Sequence, residues 1–211
     1  MLKAKHYIKQ IGAISFISFV VLLPLQQAIA AKILVLGDSL SAGYGIDVNK
    51  GWVKLLQQNL DQHAPKKHQV INASVSGETT SGALARLPKL LQQYKPDVML
   101  LELGGNDGLR GQPPLSIQRN LEKMTQMAQQ NGSKVVLFGM KIPPNYGGTY
   151  TKAFEQNYTV ISQKYKLALV PFFLEGVAGN NQLMQADLIH PNEKAQKILL
   201  NNALPQIKSA L

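Results

Sequence analysis

The chain has 211 residues and contains no cysteine, and this absence excludes several kinds of protein at once. Without thiols there are no disulfide bonds, no thiolate metal centres and no lipid attached through an N-terminal cysteine. The histidines at positions 63 and 68 are not spaced as metal ligands either. We therefore expect a domain held together by its hydrophobic core alone, with no metal and no other cofactor.

Several common functional signatures are also missing. There is no Walker phosphate loop, no dinucleotide-binding glycine fingerprint and no Gly-x-Ser-x-Gly elbow, which argues against kinases, dehydrogenases and α/β-hydrolases of the elbow type. The 22 basic residues exceed the 12 acidic ones, for a formal net charge of +10. They are scattered, however, and the densest group, Lys66-Lys67-His68, lacks the interleaved aromatic residues of a nucleic-acid surface. We expect no nucleic-acid partner. The remaining role for the positive charge is transient contact with an anionic membrane surface.

The N-terminal segment has the pattern of a secretory signal peptide. Three lysines and no acidic residue precede an apolar stretch from Ile11 to Leu25, and Ala28-Ile29-Ala30 is a small-x-small cleavage pattern. The apolar stretch is shorter than the ~20 residues of a membrane-spanning helix and is interrupted by serines and a proline. We predict a signal peptide over residues 1–30, cleavage before Ala31, and a periplasmic or secreted product. Without the three lysines the net charge falls from +10 to +7.

Residues 31–211 alternate short apolar runs with segments of helical periodicity. Five such runs predict one α/β domain with a five-stranded parallel sheet and helices on both faces, and we expect a monomer. The runs are Ile33 to Leu36, Val70 to Ile71, Val98 to Leu103, Val135 to Met140 and Leu167 to Pro171.

Candidate functional residues follow each of the first three predicted strands. Ser39 comes after the first in Gly37-Asp38-Ser39-Leu40-Ser41, Gly77 after the second and Asn106 after the third. Because parallel strands end at the same edge of a sheet, these residues should converge. Taken singly, each block is more often a turn or a helix cap. Together they favour acyl transfer, with Ser39 as nucleophile and the Ser39 and Gly77 backbone N–H groups and the Asn106 amide as oxyanion donors.

Asp187 and His190 supply the remaining parts of such a site. Their three-residue spacing suits an orienting acid and a general base. Since proline favours the first position of a helix, we predict that the last helix begins at His190-Pro191. That start would place the imidazole at a helix N-terminus.

The four blocks resemble those of the GDSL, or SGNH, hydrolase superfamily, which is named for its Ser, Gly, Asn and His. The stretches from Asn72 to Thr79, Leu84 to Pro88 and Glu102 to Gly111 are similar more narrowly to its multifunctional bacterial thioesterase and lysophospholipase members. The resemblance covers essentially the whole of residues 31–211. It implies a flavodoxin-like three-layer α/β/α sandwich with strand order 2-1-3-4-5 and the same five site residues.

The expected activity is hydrolysis of acyl esters and thioesters through an acyl-Ser39 intermediate. Fatty acyl esters, lysophospholipids and acyl-CoA are the expected substrates. Two alternatives stay open, a carbohydrate O-acetyl esterase and a non-catalytic lipid- or carbohydrate-binding module. The candidates for an apolar acyl site lie on two glycine- and proline-rich loops, from Gly104 to Pro114 and from Ile142 to Gly148, and are Leu109, Ile142, Pro143, Pro144 and Tyr146.

Overall fold

The structure is a computed structural model that describes residues 30–65 and 67–211. The predicted signal peptide, apart from its final alanine, lies outside the described residues. The strands are β1 Lys32–Gly37, β2 Gln69–Asn72, β3 Val98–Glu102, β4 Lys134–Phe138 and β5 Ala168–Val170. The helices are α1 Ser39–Ala42, α2 Trp52–His63, α3 Thr80–Tyr94, α4 Gly105–Leu109, α5 Pro114–Gln130, α6 Gly148–Tyr165 and α7 Gln196–Ala210.

The five strands form one parallel sheet in the order β2-β1-β3-β4-β5. This confirms the predicted fold class and strand order. The central strands β1 and β3 are buried almost throughout, as an apolar strand covered on both faces should be, while β2 at one edge is only half-buried. In the β1–β3 register Gly37 lies opposite Glu102, so the two turns that follow these strands begin side by side.

Helices cover both faces of the sheet. On one face α2 packs against α7, and on the other α3, α5 and α6 pack side by side. The first face is filled by an aromatic cluster in which Trp52, Phe138 and Phe173 have ring centroids 5.0 to 5.6 Å apart. In the described part of the chain no helix is both long and apolar enough to cross a membrane.

Two predicted boundaries were wrong. The last helix does not begin at His190-Pro191, because Pro191 forms an isolated β-bridge with Met184 and the Asn192 side chain instead caps a 3-10 turn that leads into α7 at Gln196. The imidazole therefore does not lie at the N-terminus of a helix. The predicted loop after β3 also contains the short helix α4, which carries Asn106.

Candidate active site

Ser39 is the first residue of α1, at the carboxyl end of β1. The helix is started by Asp38, whose Oδ1 accepts a hydrogen bond from the Leu40 backbone N–H at 3.0 Å. It ends after one turn at Gly43, whose φ of +78° suits a residue without a Cβ. The sharp strand-to-helix turn thus presents the Ser39 hydroxyl at the edge of the sheet.

His190 connects Ser39 to Asp187. The Ser39 Oγ lies 2.9 Å from His190 Nε2, and His190 Nδ1 lies 2.6 Å from Asp187 Oδ2. In the neutral imidazole Nδ1–H then donates to the carboxylate and Nε2 accepts the serine hydroxyl proton. The structure therefore brings the three predicted catalytic residues into one continuous hydrogen-bonded chain.

Asp187 is held as an anion by the turn that it begins. Its Oδ1 accepts backbone N–H donors from Ile189 and His190, each at 3.0 Å. The His190 backbone N–H and then the His190 side chain lower the pKa of Asp187 from 3.8 to about 2. The turn requires an unusual backbone at Leu188, which has a φ of +58° and an exposed side chain.

Gln185 fastens this turn to the rest of the site. Its Nε2 donates to the backbone oxygens of Tyr44 at 2.8 Å and Pro191 at 3.0 Å, and its backbone N–H donates to the His190 oxygen at 2.7 Å. The Tyr44 ring packs against the imidazole at a centroid distance of 4.5 Å. Sequence reasoning missed Gln185, because nothing in the pattern relates a glutamine near the C-terminus to a loop near residue 44.

Asn106 and Gly77 approach from the other two loops. Asn106 lies in α4, and its Nδ2 donates to Asp38 Oδ2 at 3.1 Å. Gly77 has a φ of +75°, and its backbone oxygen accepts from Arg110 Nη2 at 3.2 Å, which ties the β2–α3 loop to the end of α4. The predicted oxyanion donors are thus carried by loops that contact one another.

Two buried carboxyls lie beneath the Ser39 turn. Burial raises the pKa of Asp38 from 3.8 to about 6, and burial together with the nearby Asp38 carboxylate raises the pKa of Glu102 well above its usual range. The Asp38 side chain holds the turn in place through its hydrogen bonds to the Leu40 N–H and the Asn106 amide. Sequence reasoning missed Glu102, because a glutamate at the end of an apolar strand reads as an ordinary polar residue at the strand boundary.

The two predicted acyl-site loops lie against each other. Tyr146 Oη donates to the Leu109 backbone oxygen at 2.8 Å. Ile142 is buried in the hydrophobic core beside Gly108, whereas Pro143, Pro144 and Tyr146 are exposed. Within the described residues no cluster of histidine and acidic side chains is arranged to hold a metal ion.

A parallel α/β/α sandwich with a serine, a histidine and an aspartate in one hydrogen-bonded chain at the carboxyl edge of its sheet is the architecture of a serine hydrolase. Residues 35–198 match the model of the GDSL-like lipase/acylhydrolase family. The chain belongs to that family and is a hydrolase of acyl esters.

Individual relatives agree with this assignment. Esterase TesA of Pseudomonas aeruginosa is 51% identical over 186 residues, which cover 88% of this chain and 92% of that protein. Thioesterase 1/protease 1/lysophospholipase L1 of Escherichia coli strain K12 is 40% identical over 190 residues, 90% of this chain and 89% of that protein. A crystal structure of the psychrotrophic esterase EstA from Pseudoalteromonas sp., inhibited by monoethylphosphonate, superimposes with a TM-score of 0.81 at 45% identity and covers 85% of this chain and 97% of that one.

Proposed function

We propose that the protein hydrolyses acyl esters and thioesters through a covalent acyl-Ser39 intermediate. The observation that carries the proposal is the chain of hydrogen bonds from Ser39 Oγ through His190 to Asp187. As Ser39 Oγ bonds to the acyl carbon, His190 Nε2 takes the hydroxyl proton. The proton then passes to the departing alcohol or thiol as its bond to the acyl carbon breaks. Ionised Asp187 stabilises the imidazolium that forms between these steps.

Deacylation uses the same groups in reverse. His190 takes a proton from water as the water oxygen attacks the acyl carbon, and returns it to Ser39 Oγ when the acid is released. The oxyanion formed in each half would be bound by the backbone N–H groups of Ser39 and Gly77 and by the Asn106 amide. Asn106 has two amide hydrogens, so the bond of Nδ2 to Asp38 leaves one for the oxyanion.

The proposed substrates are fatty acyl esters and thioesters, including lysophospholipids. The relatives named as esterase and as thioesterase and lysophospholipase support this choice. The exposed Tyr146 ring and the adjacent Leu109 offer apolar surface to an acyl chain, together with Pro143 and Pro144. Export fits substrates outside the cytoplasm, and expression of the full chain in a bacterial host should then give a periplasmic product that begins at Ala31.

Covalent labelling tests the nucleophile. An alkyl fluorophosphonate should modify Ser39 alone, and Ser39→Ala should lose several orders of magnitude in kcat while folding normally. Ser76→Ala is the matched control, because Ser76 is an exposed serine of the neighbouring β2–α3 loop and its loss should leave labelling intact. Labelling at Ser41 or Ser76 would contradict the assignment.

A chain-length series tests the substrate class. If the acyl chain is buried, each methylene contributes up to ~0.8 kcal/mol, so kcat/KM should rise about fourfold per methylene until the site is full. Tyr146→Ser should flatten that rise and leave hydrolysis of an acetyl ester almost unaffected. Tyr94→Ser is the control, because Tyr94 is at the end of α3 on the opposite edge of the sheet, and it should leave the rise with chain length unchanged. A flat series together with activity on acetyl xylan would favour a carbohydrate O-acetyl esterase instead. No hydrolysis of any ester would favour a binding module.

A further inference from the structure

Glu102 lies directly beneath the turn that carries Ser39. It is the last residue of β3 and is completely buried. Its Oε2 lies 2.6 Å from Ser41 Oγ and 3.3 Å from the Asp38 backbone nitrogen. A Cβ at Gly37, its partner in the sheet, would lie 2.7 Å from the same oxygen. The carboxyl therefore occupies space that only a glycine at position 37 leaves free.

The surroundings of Glu102 disfavour a negative charge. Within residues 30–65 and 67–211 no cationic side chain pairs with it, and its Oε1 has no hydrogen-bond partner. The titratable groups that face this network are Asp38 before α1, Asp107 on α4, Tyr158 on α6 and, across Asp38, His190. Burial and the Asp38 carboxylate raise the pKa of Glu102 well above its usual range, which favours the neutral form of the carboxyl.

Two hydrogen bonds connect the Glu102 carboxyl to the candidate site, one to Ser41 and one to the Asp38 backbone. Ser41 is in the same short helix as Ser39, and its backbone oxygen also accepts from Asn72 Nδ2 at 2.8 Å. The Asp38 backbone N–H donates a hydrogen bond to Glu102, and the Asp38 side chain accepts one from the Asn106 amide. The position of Glu102 thus bears on Ser39 through Ser41 and on Asn106 through Asp38.

We propose that Glu102 is a positioning residue for acyl transfer, a neutral carboxyl that holds the turn of Ser39 and Asp38 in place relative to Asn106. The inference rests on the proposed acyl-Ser39 mechanism and adds a residue to it. Glu102 is buried beneath the turn and has no contact with the substrate in this role. Its loss should therefore lower kcat and leave KM nearly constant.

A pair of buried serines provides the decisive comparison. Ser41 and Ser133 are equally buried, and each hydroxyl makes one 2.6 Å hydrogen bond, to Glu102 and to the Pro96 backbone oxygen respectively. Ser133 lies just before β4, at the opposite edge of the sheet. Ser41→Ala should lower kcat by about ten- to a hundredfold, the range expected when reacting groups are displaced by a fraction of an ångström to an ångström. Ser133→Ala should keep the wild-type kcat, and equal kcat values for the two variants would overturn the proposal.

Variants of Glu102 itself test its charge state. Glu102→Gln keeps the length and an acceptor oxygen without a charge, so it should retain kcat within about threefold and keep the same pH profile. Glu102→Asp withdraws the carboxyl by one methylene and should lose as much kcat as Ser41→Ala. A Gln variant as impaired as the Asp variant would overturn the neutral role. Should Glu102→Asp not fold, the serine pair decides.

Fluorophosphonate labelling separates this proposal from the mechanism beneath it. An unlabelled Ser39 in the wild-type protein would reject the acyl-Ser39 mechanism. Labelled Ser39 together with normal kcat in Ser41→Ala would reject only the role of Glu102.

Discussion

Replacing Asp38 with asparagine should change how the stability of the protein depends on pH. The carboxyl has a pKa of about 6 in the folded protein, against 3.8 as its ordinary value. Between these values the folded state holds a proton that the unfolded state releases, so the free energy of unfolding falls as pH rises. The difference of roughly two pH units corresponds to about 3 kcal/mol, lost between about pH 4 and pH 6.

Asp38→Asn removes this dependence because an amide does not titrate. The unfolding free energy of the variant relative to wild type should therefore increase by about 3 kcal/mol from about pH 4 to about pH 7. Removing the Asp38 charge also lowers the cost of ionising Glu102, which changes the difference in the same direction. Urea unfolding at each pH measures this difference in unfolding free energy, and it can be followed by the fluorescence of Trp52, the single tryptophan, which is fully buried. Stability curves that run parallel at all pH values would refute the reasoning.

The same substitution should slow the reaction. The two Asp38 oxygens accept from the Leu40 N–H and the Asn106 amide, whereas asparagine has a single acceptor oxygen. If the helix cap keeps that oxygen, Asn106 faces a second amide and loses its partner. Hydrogen bonds to charged groups are worth about 1.5–3 kcal/mol, so kcat should fall by about ten- to a hundredfold with KM little changed. An unchanged kcat would mean that Asn106 does not depend on Asp38.

Three further predictions concern neighbouring residues. Asn106→Ala should lower kcat by about 10²–10³-fold with little change in KM, since its amide meets an oxyanion that exists only in the transition state; a change mainly in KM would make it a binding residue. Asp187→Asn should retain more activity than His190→Ala, because the base matters more than the residue that orients it. A wild-type rate in His190→Ala would remove the triad. Leu188→Gly should raise the free energy of unfolding by up to about 1 kcal/mol. The left-handed backbone costs a leucine about 1–2 kcal/mol, which exceeds the extra chain entropy that glycine loses on folding, about 0.5–1 kcal/mol. Thermal or urea unfolding that shows a loss of stability would mean that the leucine side chain makes stabilising contacts.

The sheet could be predicted from its apolar runs, and Ser39 and Asn106 could be predicted because each comes soon after such a run, whereas Asp187 and His190 were predicted from their three-residue spacing. Ser39 follows β1 and Asn106 follows β3 by a few residues, so the parallel topology alone brings them together. A local pattern of this kind predicts both the strand and how soon after the strand the side chain comes.

Glu102 and Gln185 could not be predicted because their roles depend on contacts between residues far apart in the chain. Glu102 is buried only because Gly37 leaves room for it, and Gln185 reaches the Tyr44 backbone across 141 residues. The start of the last helix was misplaced because the cap is the Asn192 side chain and Pro191 is bound to another segment. The general preference of proline for the first position of a helix favoured a start at Pro191, and it did not reveal that Met184 and Asn192 would take part in other structure there.

The separation of Ser39 and His190 by 151 residues has a consequence for synthesis. Translation releases the serine turn first and the segment that carries Asp187 and His190 much later. Since that segment is fastened through Gln185 and continues into α7, which packs on α2 and the sheet, a nascent chain has the serine without its base. By the proposed mechanism, a chain that stops before residue 187 contains the nucleophile and lacks hydrolytic activity.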